Sequence, residues 1–313
     1  MQRLPRREFL RTLSLLGLGA LTAGPLSSGC ASGDQRRTAP VDVPTVVPPV
    51  HSSTAGAPAG PTPTATVVSP ARERTPAPTA GQAYLSVVHG FSPAEITRAA
   101  IAALGGMGRF VKPGQEVIIK PNICVAYHSF EYAATTNPEV VATLVQLCLA
   151  EGAKRVRVMD APFGGTAEQA YAKSGIGEAV KAAGGQMEVI SALKFRDTAI
   201  PNGRDLKNWK VHRDLLETDV LIDVPIAKQH DLARLTLGMK NLMGGATDRE
   251  RIHSNLGQRV ADLTSLMRPT LTVVDAVRIL LRNGPTGGSL NDVKKTDTII
   301  ASHDVVAADA QWC

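Results

Sequence analysis

The sequence is poor in the residues that announce a common chemistry. Only 4% of its 313 residues are aromatic, and no stretch interleaves them with Lys or Arg. Nucleic-acid binding, which uses a basic face and often stacking rings, is therefore not expected. The net charge of +6 does not argue otherwise: the first 80 residues hold eight Arg and four acids, supplying +4 and leaving the body at +2. There are four cysteines, Cys30, Cys124, Cys148 and Cys313, and none forms a CxxC. That excludes an internal iron–sulfur or zinc-ribbon framework. No GxGxxG follows a predicted strand, and GxxxxGKS/T, GxSxG and HExxH are all missing, which disfavours dinucleotide, P-loop, serine-hydrolase and zinc-helix chemistry. The apolar run at residues 13–23 is too short to span a bilayer, which takes about 20 residues.

What the amino terminus does contain is an address. Arg6-Arg7 stands before Phe9-Leu10 and the short apolar run, a pattern that resembles a twin-arginine export signal. That route is known for carrying folded, often cofactor-loaded proteins. Leu26-Ser27-Ser28-Gly29-Cys30 resembles a lipoprotein cleavage site, with Cys30 as the acylated residue. Residues 31–82 are rich in Pro, Ala, Thr and Ser, and residues 31–80 hold ten of the chain's 21 prolines. Such a segment buries too little apolar surface to offset its ordering entropy and reads as a disordered linker. The expected organisation is a signal over residues 1–30, a linker over 31–82 and a folded domain over 83–313. The expected location is periplasmic or cell-surface, with the membrane reached through a lipid anchor.

From residue 83 the pattern alternates. Strands are expected at 84–88, 117–120, 156–159, 187–190, 220–226, 271–274 and 298–301, and a strand pair within 196–212. Helices are expected at 93–104 with Ser92 as cap, at 138–151 with Asn137 as cap, near 166–173 and 176–183, and at 258–267. Leu232, Leu235, Met239 and Leu242 recur at helical steps before Gly244-Gly245, so a helix is expected there too. The fold class is α/β, a mainly parallel sheet with helices on both faces, preceded by the signal segment and linker.

Polar residues gather at the predicted strand ends: Lys120 and Asn122, Asp160, Asp223 with Lys228 and His230, and Asp275. Open α/β sheets bind ligands at strand carboxyl ends, so these groups are expected to share one cleft. Lys228 and His230 are two apart and point the same way if the strand runs past Ile226. Asn137-Pro138 opens the strongest helix, whose free N–H groups suit an anion, although an ordinary cap explains the same residues. The loop Gly284-Pro285-Thr286-Gly287-Gly288 could cover a ligand or be a plain turn.

Lys120-Pro121-Asn122, Thr136-Asn137-Pro138-Glu139, Asp160-Ala161-Pro162, Pro225-Ile226-Ala227-Lys228-Gln229-His230, Lys240-Asn241-Leu242-Met243-Gly244, His253, Asp275-Ala276 and Gly284-Pro285-Thr286-Gly287 follow one another in this order. The set resembles the DUF362 family from about residue 83 onward. Members of that family are sometimes joined to ferredoxin-like iron–sulfur modules, whose cysteines this chain lacks; a separate iron–sulfur protein is then a candidate partner. Gln229 stands where a Thr is common in the family. The family pattern also runs on past Asp304 and Asp309, so a fragment or a lost reading frame is expected at Trp312-Cys313.

The functional expectation is an enzyme acting on a small anion. Lys228, His230, Lys240 and His253 are the candidate catalytic residues. Lys120, Asn122, Asn137 and Asn241 are candidates for binding the ligand. Asp160 and Asp275 are candidates for orienting a His or holding a metal. Lysines supply positive charge and His titrates near neutrality. A non-catalytic ligand- or metal-binding lipoprotein is the alternative. The sequence names no cofactor.

Overall fold

In the computed structural model, residues 83–313 are described. The twin arginine, Cys30 and the proline-rich segment lie outside the described residues. Strand β1 (Leu85–His89) leads into helix α1 (Pro93–Ala103), where Ser92 accepts from the Glu95 N–H and Pro93 occupies the first turn. Strand β2 (Glu116–Pro121) is followed by α2 (Pro138–Ala150), capped by Asn137. Then come β3 (Arg155–Val158), α3 (Ala167–Lys173), α4 (Ile176–Ala182) and the two-residue β4 (Gln186–Met187). The irregular region forms the antiparallel pair β5 (Phe195–Ala199) and β6 (Asn208–His212), followed by α5 (Arg213–Glu217).

The next strand breaks at Pro225 into β7 (Val220–Val224) and β8 (Ile226–His230). The helix expected from Leu232 onward is not there. The chain turns at Arg234, at φ 64°, into β9 (Arg234–Thr236), which pairs antiparallel with β8. Only the short α6 (Gly238–Asn241) and a 3-10 turn over Leu242–Gly245 are helical. Apolar spacing alone did not decide this segment, because the ladder along β8 satisfies its backbone instead. Helices α7 (Arg249–His253) and α8 (Leu256–Met267) follow, then the ten-residue strands β10 (Leu271–Leu280) and β11 (Val293–Ser302), and α9 (Val305–Trp312).

The sheet runs β1-β11-β10-β7-β2-β3-β4, with β8 beside β10 and β9 beside β8. The contacts of β10 with β7 and β8, of β7 with β2, of β2 with β3 and of β3 with β4 are parallel. Those of β11 with β1 and β10 are antiparallel, so the sheet is mainly parallel, as expected. Alternation along the strands splits the core. Val117, Ile119, Ile222 and Val224 face one side with Ile101, Val140, Ala170 and Ile176 of α1 to α4. Ile118 and Leu221 face the other with Leu215, Ile252, Leu263 and Met267 of α5, α7 and α8. Lys120 and Asp223 continue this second face as register partners, and both are fully buried. Beyond Pro225 the chain leaves β2 and pairs only with β10 and β9. The end of β2 and the strand β8 thus part company, and a cleft opens where they diverge.

Candidate functional site

The cleft is a cavity of about 970 Å³. Lys120, Asn122, Asp160, Lys228, His230, Lys240, Asn241 and His253 all line it, together with Cys124, Phe163, Arg249 and Pro285. They arrive from the end of β2, the end of β3, β8, α6 and α7. Strand β8 persists through His230, so Lys228 and His230 share a side, as their spacing requires.

Three of the sequence-predicted residues do not line the cavity: Asp223, which is buried behind Asn241, Asp275 and Asn137. Strand β10 does not end at Asp275 but continues to Leu280, because β11 pairs with it beyond that point. Asp275 is consequently an interior residue with no exposure. Its carboxylate accepts from the Asn137 N–H at 2.7 Å and the Val277 N–H at 3.0 Å. The anion at the start of α2 is thus the protein's own. Burial lifts the Asp275 carboxyl to about 6 against these hydrogen bonds. Asn137 accepts from the Glu139 N–H at 2.9 Å, which makes it an ordinary cap.

The floor of the cavity is a connected polar network. Lys120 Nζ donates to Asp160 Oδ1 at 2.6 Å, and also to the Pro121 carbonyl and Asn241 Oδ1 at 3.4 Å each. Asp160 Oδ2 accepts from the Ile123 N–H at 2.7 Å. Asn122 Nδ2 donates to Asn241 Oδ1 at 2.9 Å, and Asn241 Nδ2 donates to Asp223 Oδ1 at 2.8 Å. Burial holds the Asp223 carboxyl well above the usual carboxylate range, despite Lys120 and Asn241 nearby. A Cβ on Gly244 would lie 2.7 Å from both Asp160 Oδ1 and Lys120 Nζ, so only glycine lets the turn close over this pair.

Lys228 is equally committed. Its ammonium donates to Asn122 Oδ1 at 3.0 Å, the Ala134 carbonyl at 2.6 Å and the Pro285 carbonyl at 3.0 Å. An ammonium has three donors, so none is left for a ligand, although the charge still acts across the cavity. The Gly284-Pro285 loop is therefore part of the wall. Gly284 N–H donates to Gln229 Oε1 at 2.6 Å, which gives Gln229 its role in this chain.

Lys240 differs. It is half-buried and lines the cavity, yet among the described residues it has no hydrogen-bond or ion-pair partner. Burial, with Lys228 and Arg249 adding repulsion, lowers its ammonium to about 8. Asp309 of α9 fixes the helix that carries it, accepting from the N–H groups of Gly238 and Met239 at 2.7 and 2.9 Å.

The two histidines are held in complementary states. His230 Nδ1 accepts from the N–H groups of Leu232 and Ala233 at 3.1 and 3.3 Å, so the neutral ring carries its proton on Nε2. Burial and the charges of Lys240 and Lys228 lower His230 to about 4, which keeps it neutral. His253 Nδ1 lies 2.7 Å from the Arg249 carbonyl, which can only accept. The unprotonated ring of His253 therefore has its lone pair on Nε2. The ring centroids are 6.1 Å apart.

Among the described residues no group of three or more His, Cys, Asp or Glu is placed to hold a metal ion. Asp160 is paired with Lys120 and Asp275 is remote, so the metal expectation for these two residues is not met by the geometry. Arg249, Cys124 and Phe163 are lining residues that the sequence reading passed over. Arg249 had a signal: it precedes His253 by four residues and so shares its helical face.

The fold is similar to that of the lactate racemase apoprotein from Thermoanaerobacterium thermosaccharolyticum, with a TM-score of 0.50 at 12% identity, over 72% of this chain and 55% of that one. At that identity the likeness is one of fold. Thylakoid-associated protein sll1697 of Synechocystis sp. (strain ATCC 27184 / PCC 6803 / Kazusa) is 27% identical over 227 residues, 68% of this chain and 66% of that relative. The chain thus matches just under two thirds of the relative's length. The profile of the domain of unknown function DUF362 matches residues 117–313, more than half of the sequence, and the chain belongs to the DUF362 family.

Proposed function

We propose that the cavity takes a small anion and that the two histidines move a proton on it, which makes the chain an acid–base enzyme. The observation supporting this reading is the pairing of a ring that presents N–H with one that presents a lone pair at a single cavity. Neutral imidazoles with opposite open ends can polarise one atom and deprotonate another. The anion preference follows from the inner wall. Lys120 is balanced by Asp160, burial raises the Asp223 carboxyl well above the usual carboxylate range, and among the described residues neither Lys228 nor Lys240 has an acidic partner. The acids Asp231, Asp248 and Glu250 also line the cavity, but all three are exposed to solvent. The racemase of similar fold is named for lactate, a small carboxylate, which at this identity is an analogy of fold.

Calorimetric titration with small carboxylates and phosphate tests the first half. Binding is expected to weaken as salt rises, and no binding of any of them would overturn the reading. Proton NMR of the bound ligand in D₂O tests the second half. His253→Gln is expected to slow exchange of a ligand C–H by about a hundredfold or more while binding persists. Binding with no exchange in the wild type would favour the non-catalytic ligand-binding alternative. A stable anion complex of the chain alone would also weaken the case for a bare partner module of an iron–sulfur protein.

The same proposal places the domain outside the cytoplasm, on a lipid-anchored tether. Arg6→Lys with Arg7→Lys is expected to leave the chain cytoplasmic on fractionation, and Cys30→Ser to release the exported chain from membranes. Normal export of the first variant, or membrane retention of the second, would remove the corresponding element.

A further inference from the structure

Three lysines come to the cavity, and two have structural work. Lys120 and Lys228 spend their donors on Asp160, Asn122, Asn241 and backbone carbonyls. Lys240 has no partner among the described residues, although α6 is held in place by Asp309 from the neighbouring helix. A positioned but unpaired amine in a half-buried site carries a desolvation cost that no internal contact offsets. Such an amine beside a second cation is the usual arrangement of a lysine that reacts as a nucleophile.

Resting on the anion site proposed above, we infer that Lys240 forms an imine with a small oxo acid, its carboxylate held by the cationic wall. The Lys240 Nζ lone pair attacks the carbonyl carbon and forms the C–N bond. The π electrons move to oxygen, which accepts a hydrogen bond from His230 Nε2–H. Both amine protons then pass in turn through His253 Nε2 to that oxygen, and the C–O bond breaks to release water. Amine and carbonyl give imine and water, and no oxidant or reductant takes part. The imine draws electrons from the adjacent carbon, and this gives the histidine pair a C–H acidic enough to move.

The groups that act on the Lys240 charge are Lys228, Arg249, Cys124 and the ring of His230. With the ammonium lowered to about 8, roughly a tenth of the amine is free at pH 7, against under a thousandth for an ordinary lysine.

The test uses the full chain with pyruvate, glyoxylate or 2-oxoglutarate and sodium cyanoborohydride, followed by intact-mass and peptide sequencing. A single adduct on Lys240 is expected, forming faster as pH rises through about 8, and absent from Lys240→Met and Lys240→Arg. The arginine variant keeps the charge but offers no nucleophilic amine, so loss of the adduct there reports the nucleophile and not the charge. No adduct on Lys240 with any of the three acids, or label spread evenly over surface lysines, overturns the inference. If acetate or phosphate binds while no adduct forms, the imine fails and the anion site stands. If neither oxo acid nor simple anion binds, both fail.

Discussion

Replacing Asp160 by Asn tests the physical core of the site. The substitution keeps the shape of the side chain and can still accept from the Ile123 N–H, which reaches Asp160 Oδ2 at 2.7 Å. It removes the negative charge 2.6 Å from the Lys120 ammonium, a group with no exposure. Breaking a buried pair by deleting one partner costs about 3–5 kcal/mol, because the other charge stays desolvated. For a domain of this size about 1 kcal/mol moves the melting point by roughly 2–4 °C, so a drop of about 6–20 °C is expected. Circular dichroism melts at pH 7 would measure it. The double variant Lys120→Met with Asp160→Leu should recover only part of the loss, because an apolar pair replaces the ions but leaves the buried Ile123 N–H without its acceptor. A single-variant melt within 2 °C of wild type would refute the account of a desolvated pair.

Gly244→Ala should lower stability by about 1–3 kcal/mol in the same melts, since its Cβ would press on Asp160 and Lys120 at 2.7 Å. His230→Gln should flatten the acid limb of the stability curve. The folded state holds His230 near 4, below its ordinary value, so the unfolded state binds the extra proton between about 6.5 and 4. Stability from this group is complete above 6.5 and falls with pH through that window, by up to about 3 kcal/mol. Asp275 and Asp309, both raised to about 6 by burial, act in the opposite sense there, so the comparison with the variant isolates His230. An unchanged difference between wild type and variant from pH 7 to pH 4 would contradict the buried neutral ring. Asp309→Ala should cost about 1–2 kcal/mol as a lost cap and also slow Lys240 labelling, whereas a stability loss with normal labelling would separate α9 from the site.

Much of the fold could be read from local signals. The branched runs of β7 and β10, the Ser92 and Asn137 caps and Gly152 after α2 are short-range features, and they set the alternation that gives a parallel sheet. The segment after His230 could not be read this way. Leu232 and Leu235 fit a helical stripe, yet Leu232 is 73% exposed, and the deciding contact is the pairing of Lys228 with Thr236. Asp275 failed for a related reason: whether a strand stops or continues depends on a partner, here β11, some twenty residues further on. At the site the spacing of Lys228 and His230 gave their shared direction correctly. It gave no hint that the Lys228 ammonium is consumed by the carbonyls of Ala134 and Pro285, which are 94 and 57 residues away in the chain. The distinction between a committed lysine and the unpaired Lys240 depends on long-range contacts that residue type does not encode.

The divergence of β8 from β2 at Pro225 has an evolutionary consequence. None of Lys240, His230 and His253 belongs to either of the two main apolar clusters, whose side chains pack on opposite faces of the sheet. Exchanging these three residues would alter reactivity while most of the buried surface that drives folding stayed in place. The Lys120–Asp160 pair and the Lys228 tie, by contrast, hold the walls and tolerate little change. Descendants of such a chain could drift from one substrate to another by substitutions at the mouth of the cleft, with the frame beneath inherited intact.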